Sequence, residues 1–444
     1  MSAVCGISFP SLWGSQSWLP PAFQPAPGRT RKRVRRQDCL PHTFPSILLL
    51  FLAATAHAQN FSQRGFLETA ALLFPQTAPN DSARAVGEAL FRYEAFYKLT
   101  NLSFAAALDA RTDTHQETDR EWGGVWWDRA RRRPLFAVRR LSATYTRGRL
   151  TLQAGKQLIR WGKVDILTPT DRFAPRDFLS VVDNDFLPIT AARVTYGTQS
   201  DTLDLILSPR LTPSRVPLLN QRWAVLPPGI PVHEMDPAFP GGPQFGARWN
   251  HIGAAAEYSF SFYNGYDHLP LFRVQPNFAL ARADVQRFYP QMRMYGADAA
   301  APLGPVTLKG EAAYFTSTNP QSDNYALCVL QLERQAGEWS LVAGYAGQVT
   351  TEHRSALGFS PVRGFARAVV AHAGYTIDVN RSLAFEAVVR QNGQGVFAKA
   401  EYSQAFGQHW RATAGFALVR GDTTDFLGQY RRNSHAILTL RYSF

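Results

Sequence analysis

The most chemically loaded stretch of the chain is "GKQLIRWGKVDILTPTDRFAPRDFLSVVDNDFLP", residues 155–188. It sets Arg160, Lys163, Arg172 and Arg176 among Asp165, Asp171, Asp177, Asp183 and Asp185. Such a mixture could serve acid–base catalysis, hold a cation or line an ion path. Catalysis requires a nucleophile or base with a partner in hydrogen-bond reach. No G-x-S-x-G elbow occurs, and His372 and His409 lack obvious partners. Ser434 and His435 are adjacent, so a strand would point them to opposite sides. No spaced His/Cys set of the metal-binding kind is present. Neither an enzyme, a metal centre nor a cofactor is expected. What remains is a stiff loop, its backbone restricted by Pro169, Pro175 and Pro188. Such a loop can pair its own charges, fold into a lumen and set charge selectivity there. Arg160, Trp161, Lys163, Asp165, Asp171, Arg172, Arg176 and Asp177 are the candidate pore constriction. A second reading keeps the loop as a cap over the mouth, with its ion pairs only holding it in place.

The elements that must carry this loop have a period of two. "LFRYEAFYKL" sets Phe91, Tyr93, Ala95 and Tyr97 against Arg92, Glu94 and Lys98. "SLAFEAVVRQ" and "HWRATAGFALV" alternate in the same way. Many short strands, apolar on one face and polar on the other, describe a transmembrane antiparallel β-barrel with a polar interior. Eighteen strands are expected, within a range of 16–20, from near residue 64 to residue 444. Alternate connections are tight, as at "LTN", "RG", "TQSD" and "DVNR". The others are long: 111–134, 157–188, 209–242, 265–288 and 350–362. That is the pattern of short periplasmic turns and long outer loops. The chain ends on "LTLRYSF", with Leu438, Leu440, Tyr442 and Phe444 on one face. Tyr442 and Phe444 fit the inner aromatic girdle. A terminal Phe on such a strand resembles the signal read by the barrel assembly machinery of Gram-negative outer membranes.

The front of the chain points to export. A basic run, "RTRKRVRRQ", precedes "FPSILLLFLAATAHAQ". Its apolar core is too short to span a bilayer as a helix and suits a signal peptide. Cleavage is expected at Ala56-His57-Ala58, before Gln59, which divides the chain into a 1–58 extension with leader and a 59–444 barrel. Cys39 lacks the small residues before it that a lipoprotein would have, and Cys328 alone would remain, so no intrachain disulfide can form. The net charge is +13, with six Arg/Lys and one Asp in residues 1–58, leaving about +8 spread over the barrel. Nucleic acid is not an expected partner. A mean hydropathy of −0.21 with 13% aromatics fits neither a helical membrane protein nor a disordered chain.

Two further loops offer binding chemistry. In 111–134, Asp113, His115, Glu117, Asp119 and Glu121 alternate, and Arg129 and Arg131 to Arg133 follow. The acids could take a divalent cation and the arginines a lipopolysaccharide phosphate; the plainer reading is a solvated outer loop. Loop 209–242 is Pro-rich with apolar residues, and is expected to pack against the barrel wall. Tyr266, Asp267 and His268 read as rim residues.

The segments "GKQ…WGK…D…TPTDRFAPRD…LP" and "YSFSFYNGYDHLP" resemble a family of outer-membrane barrels known as a domain of unknown function. The likeness covers about 155–190 and 256–270. Members often accompany RND-type exporters of hydrophobic compounds. Where typical members carry Asn-Pro-x-Asp, this chain has Thr168-Pro169-Thr170-Asp171, so a sister group fits equally. The resemblance implies transport, no catalytic residues, and an RND-type exporter system as a partner alongside outer-membrane lipid and lipopolysaccharide. The reading is an outer-membrane channel for a small molecule in a Gram-negative bacterium, with loop 157–188 as gate. The alternative is a loop-plugged barrel serving as receptor or scaffold.

Overall fold

The computed structural model describes residues 60–120, 126, 128–226, 229–354 and 357–444. The leader, with the cleavage expected at Ala56, Ala58 and Gln59, lies outside the described residues. Eighteen strands pair antiparallel in one sheet. They are β1 (Phe61–Leu73), β2 (Ala85–Lys98), β3 (Leu102–Asp113), β4 (Phe136–Arg147), β5 (Leu150–Gln157) and β6 (Ile189–Gly197). Next come β7 (Asp201–Ser208), β8 (Gln244–Ile252), β9 (Glu257–Tyr266), β10 (Gln291–Leu303), β11 (Val306–Thr316) and β12 (Asn324–Ala336). The last six are β13 (Trp339–Glu352), β14 (Ala368–Asp378), β15 (Arg381–Arg390), β16 (Gly395–Phe406), β17 (Trp410–Gly421) and β18 (His435–Ser443). Each strand pairs with its neighbours in the chain, and β18 pairs with β1 to close the ring. Closure leaves no strand edge unpaired, which is what lets a sheet live in hydrocarbon.

Alternation fixes the register. Leu67, Leu205, Phe260, Leu330, Phe385 and Leu438 are all exposed large apolar side chains on the outer face. A slip by one residue would bring Glu68, Asp204 and Glu386 to lipid. The tight turns lie at one end, and several use a residue of positive φ, such as Gly148 (φ 58°) and Gly337 (φ 59°). A hairpin turn there needs the left-handed region, which glycine enters without a Cβ clash. Phe444 closes the seam: its backbone exchanges hydrogen bonds with Gly65. Its ring stacks on Phe91 at 6.1 Å and occupies the space that a Cβ on Gly65 would need.

One expectation needs correcting. The lumen is polar only over part of its wall. Toward the long-loop end, the inward faces of β7 to β17 are apolar: Ile206, Tyr263, Met292, Met294, Phe315, Leu327, Val329, Val370, Val388, Phe397 and Val419 are buried. They form one cluster with Trp161, Val164, Phe178 and Val181 of the charged loop. Trp223, Phe365, Leu427 and Tyr430 of three other outer loops join it. Those strands are apolar on both faces because one face meets lipid and the other meets the infolded loops. Loop 265–288 also differs from a plain connector: Leu271–Asn277 and Arg282–Phe288 form a hairpin, joined in a small sheet by Val232–Glu234 and Leu357–Gly358.

Candidate functional site

The site is built where loop 158–188 meets the inward face of β7 to β12. Its backbone N–H groups face side-chain acceptors of the wall, because an irregular segment inside a barrel must find partners outside any ladder. Glu311 on β11 accepts from Thr170 N at 2.7 Å, Thr170 Oγ1 at 2.8 Å and Lys163 N at 3.1 Å. Gln331 on β12 accepts from Asp165 N at 2.9 Å. It donates to the Asp165 carboxylate at 2.7 Å, which also pairs with Lys309 at 3.3 Å. Lys163 pairs with Glu257 at 2.9 Å and Asp298 at 3.2 Å. The indole N–H of Trp161 donates to Asp204 at 2.9 Å, and Arg248 donates to the Trp161 carbonyl.

The local motif now has a physical account. Asp171 folds the loop back on itself, accepting from Trp161 N at 2.5 Å and Gly162 N at 2.8 Å. It also takes Arg160 Nε at 3.2 Å. The Arg160 guanidinium and those two N–H groups hold its carboxyl below the usual range against the opposing effect of burial. A Cβ on Gly162 would stand 2.7 Å from Thr168, so the turn that brings Trp161 and Thr168 together excludes a side chain. The wall is recessed to match. A Cβ on Gly246 would lie 2.6 Å from the rings of Trp161 and Phe173, and one on Gly344 2.5 Å from Ile166.

Of the residues expected to form the constriction, Trp161, Asp171, Arg176 and Asp177 are buried. Arg176 donates to Asn184 at 3.2 Å and lies 4.0 Å over the ring of Phe186. Burial, reinforced by the nearby Arg160, pushes its pKa down. Asp177 is clasped by Arg133 at 2.9 Å and Arg215 at 3.1 Å. Burial opposes ionisation there, yet these two guanidinium groups hold the carboxyl well below its ordinary value. Arg172 lies over Phe315 at 5.0 Å. Arg160, Lys163 and Asp165 are partly exposed.

The loop tip reaches the opposite wall. Asp185 pairs with Arg111 at 3.5 Å and Arg139 at 3.6 Å, on β3 and β4. Asp183 acts electrostatically on Glu88, Lys399 and His435, on β2, β16 and β18. That wall continues with partly exposed ionic pairs: Arg64 with Glu94, Arg441 with Glu68, and Lys399 with Glu401 at 3.0 Å. The loop thus packs its apolar residues against β7–β12 and turns Asp183 and Asp185 toward a wall of charged pairs.

Several residues that build this site stayed invisible in sequence. Glu311, Gln331 and Asp298 lie where inward faces change from Phe315, Ala313, Leu327, Val329 and Met294 to polar residues, which on β11 and β12 include Lys309 and Glu333. The switch from apolar to polar along one face of a strand is the signal that could have found them. His268 is the clearest surprise. It is buried, not on the rim; its Nδ1 meets the Thr212 carbonyl at 2.8 Å and its Nε2 meets that of Arg172. It thereby ties the charged loop to loop 209–243, where Leu211, Val216 and Trp223 are buried, as packing predicts. In loop 114–135 Glu121 lies outside the described residues, and Glu117 is engaged by the protein. Glu117 pairs with Arg133 at 2.8 Å, and His115 with Asp81 at 2.7 Å.

No protein-family model and no curated protein matches the chain. Among solved structures it is similar to OccK5 (OpdH) of Pseudomonas aeruginosa. The TM-score is 0.51 at 10% identity, covering 87% of this chain and 98% of that one. It is similar also to OccAB4 of Acinetobacter baumannii, with a TM-score of 0.50 at 9% identity, covering 87% and 98%. At such identities the likeness speaks for the fold alone: the chain has an outer-membrane β-barrel fold resembling that of these two proteins along nearly its whole described length.

Proposed function

We propose that the protein is an outer-membrane channel for a small molecule of a Gram-negative bacterium. In this reading the lumen is narrowed, and not sealed, by loop 158–188. The observation that carries it is the asymmetry of the interior. The loop is pinned to β7–β12 by buried carboxylates and apolar packing. The wall opposite its tip keeps Arg111, Arg139, Glu386 and Lys399 partly exposed. Charged side chains kept at partial exposure stay hydrated, as the wall of an aqueous path requires. A path along that wall would be read by Asp183 and Asp185 from one side and by arginine and lysine from the other. Seven of the eight residues of the expected constriction then divide their labour. Trp161, Asp171, Arg176 and Asp177 hold the loop, and the more exposed Arg160, Lys163 and Asp165 bias the approach.

A second reading has its own observation: the apolar packing of four outer loops inside the barrel, which favours a closed scaffold or receptor. Planar-bilayer recording separates the two. Steady single-channel currents support the channel; silence from correctly folded, heat-modifiable barrels supports the scaffold. An association with an RND-type exporter of hydrophobic compounds belongs to the proposal through the sequence motif alone. Co-purification of such a system with the tagged barrel would test it. Tyr442 and Phe444 are proposed as the assembly signal.

A further inference from the structure

The lipid-facing surface carries a groove across β11 to β15. Leu332, Leu341 and Phe385 stand beside a floor of Ala343, Ala371, Ala373 and Ala387, and the groove has a volume of about 430 Å³. These positions are cross-strand neighbours: Leu341 faces Ala373, Ala373 faces Phe385, and Ala371 faces Ala387. Small residues in the middle of three strands, between large ones on either side, leave a trough in an otherwise even apolar band. Arg334 also lines the groove and is paired across the sheet with Leu341. It is exposed, and no carboxylate among the described residues pairs with it. Trp339 and Tyr375, rings 4.7 Å apart, lie just below, beside the tight Gly337 turn. Aromatic residues of this kind mark the headgroup level. A cation on the lipid face, just above that girdle, is costly unless it reaches an anion at the interface.

We infer that this groove binds one phospholipid of the inner leaflet, with its phosphate on Arg334 and an acyl chain along the alanine floor. Charge complementarity selects the phosphate. The apolar lining and a volume in the range of small-molecule sites select the chain. The tight-turn end, periplasmic in a barrel of this topology, selects the inner leaflet. The inference concerns the outer surface and is independent of conduction through the lumen.

The test uses the full mature barrel, purified in mild detergent, with phosphatidylglycerol as the probe in native mass spectrometry. The wild type is expected to keep one lipid under conditions that strip the rest. Arg334→Gln, which loses a charge-assisted hydrogen bond, should bind about tenfold more weakly or worse. Ala371→Leu, which fills the floor, should abolish retention while heat-modifiability and conductance stay as in wild type. Equal retention by all three proteins, or none by the wild type, overturns the inference. A wild-type dimer that Ala371→Leu dissolves would overturn it too, and would assign the groove to a second copy of the chain. Replacing Arg293, at the opposite end of the lipid face, serves as the control and should leave retention unchanged.

Discussion

Removing the Glu311 carboxylate tests whether the loop is held piece by piece or as one block. In Glu311→Ala, the donors at Thr170 N, Thr170 Oγ1, Lys163 N and Val164 N lose their acceptor. A hydrogen bond to a charged group contributes about 1.5–3 kcal/mol, and water entering the space recovers part of it. A net loss of about 4 kcal/mol is therefore reasonable for segment 162–170. The same segment buries Val164, Ile166 and Leu167, which contribute roughly 1.5–3 kcal/mol each. Asp165 also keeps Lys309 and Gln331. The two sides are comparable, so the segment should open often without leaving the lumen. Segment 173–182, with Phe173, Phe178 and Val181 buried, makes no bond to Glu311 and should be untouched. Hydrogen exchange read by mass spectrometry is the assay. Protection across 162–170 should fall about 10³-fold, from ~4 kcal/mol at ~1.4 kcal/mol per decade, with 173–182 unchanged. Equal loss across 158–188 would mean that the loop docks as one block. No loss would mean that Glu311 does not anchor it.

The remaining predictions use other parts of the site. Burial pushes the His268 ring below its ordinary pKa, while a released ring protonates near about 6.5; docking is thus fully stable above that pH and weakens as pH falls below it. Current noise should rise on acidification in the wild type and lose that pH dependence in His268→Gln. Gly246→Leu should evict Trp161 and Phe173 from their socket, raising mean conductance; an unchanged value counts against the packed loop. Deleting Phe444 exposes Gly65 and removes two backbone hydrogen bonds and the ring contacts with Phe91 and Tyr442. The amount of barrel in the membrane should fall, and conductance per molecule should stay the same; normal membrane levels would exclude an assembly role.

The barrel was legible in the sequence because lipid imposes one rule on every strand. Leu67, Phe260, Phe385 and Leu438 face hydrocarbon whatever their neighbours do, so a period of two survives all local variation. The turns were legible for the same reason, since "RG" or "DVNR" between two such strands admits only a tight reversal. The interior was less so. Tyr325, Leu327 and Val329 alternate with Ala326, Cys328 and Leu330, and an unbroken apolar run does not announce that its second face meets a loop over a hundred residues away in sequence. The charged loop stood out by its composition, and its main partners did not: Glu311, Gln331 and Asp204 are ordinary inward polar residues until the loop is placed against them. Charge alone also misjudged which loop residues meet water. Asp171 and Asp177 are consumed by Arg160, Arg133 and Arg215, whereas Asp183 lies at the tip beside the opposite wall.

In the proposed channel, ions pass between Asp183 and the charged wall it faces, and a cysteine placed at that position reads the path. The background is Cys328→Ser, which removes the exposed native thiol. In it, Asp183→Cys and Asp171→Cys are recorded in planar bilayers while a charged, membrane-impermeant thiol reagent is added. A stepwise fall in single-channel current is expected for Asp183→Cys, which is partly exposed beside the charged wall. No change is expected for Asp171→Cys, buried behind Trp161 and Gly162. Block through position 171 with none through position 183 would place the path on the other side of the loop and contradict the account.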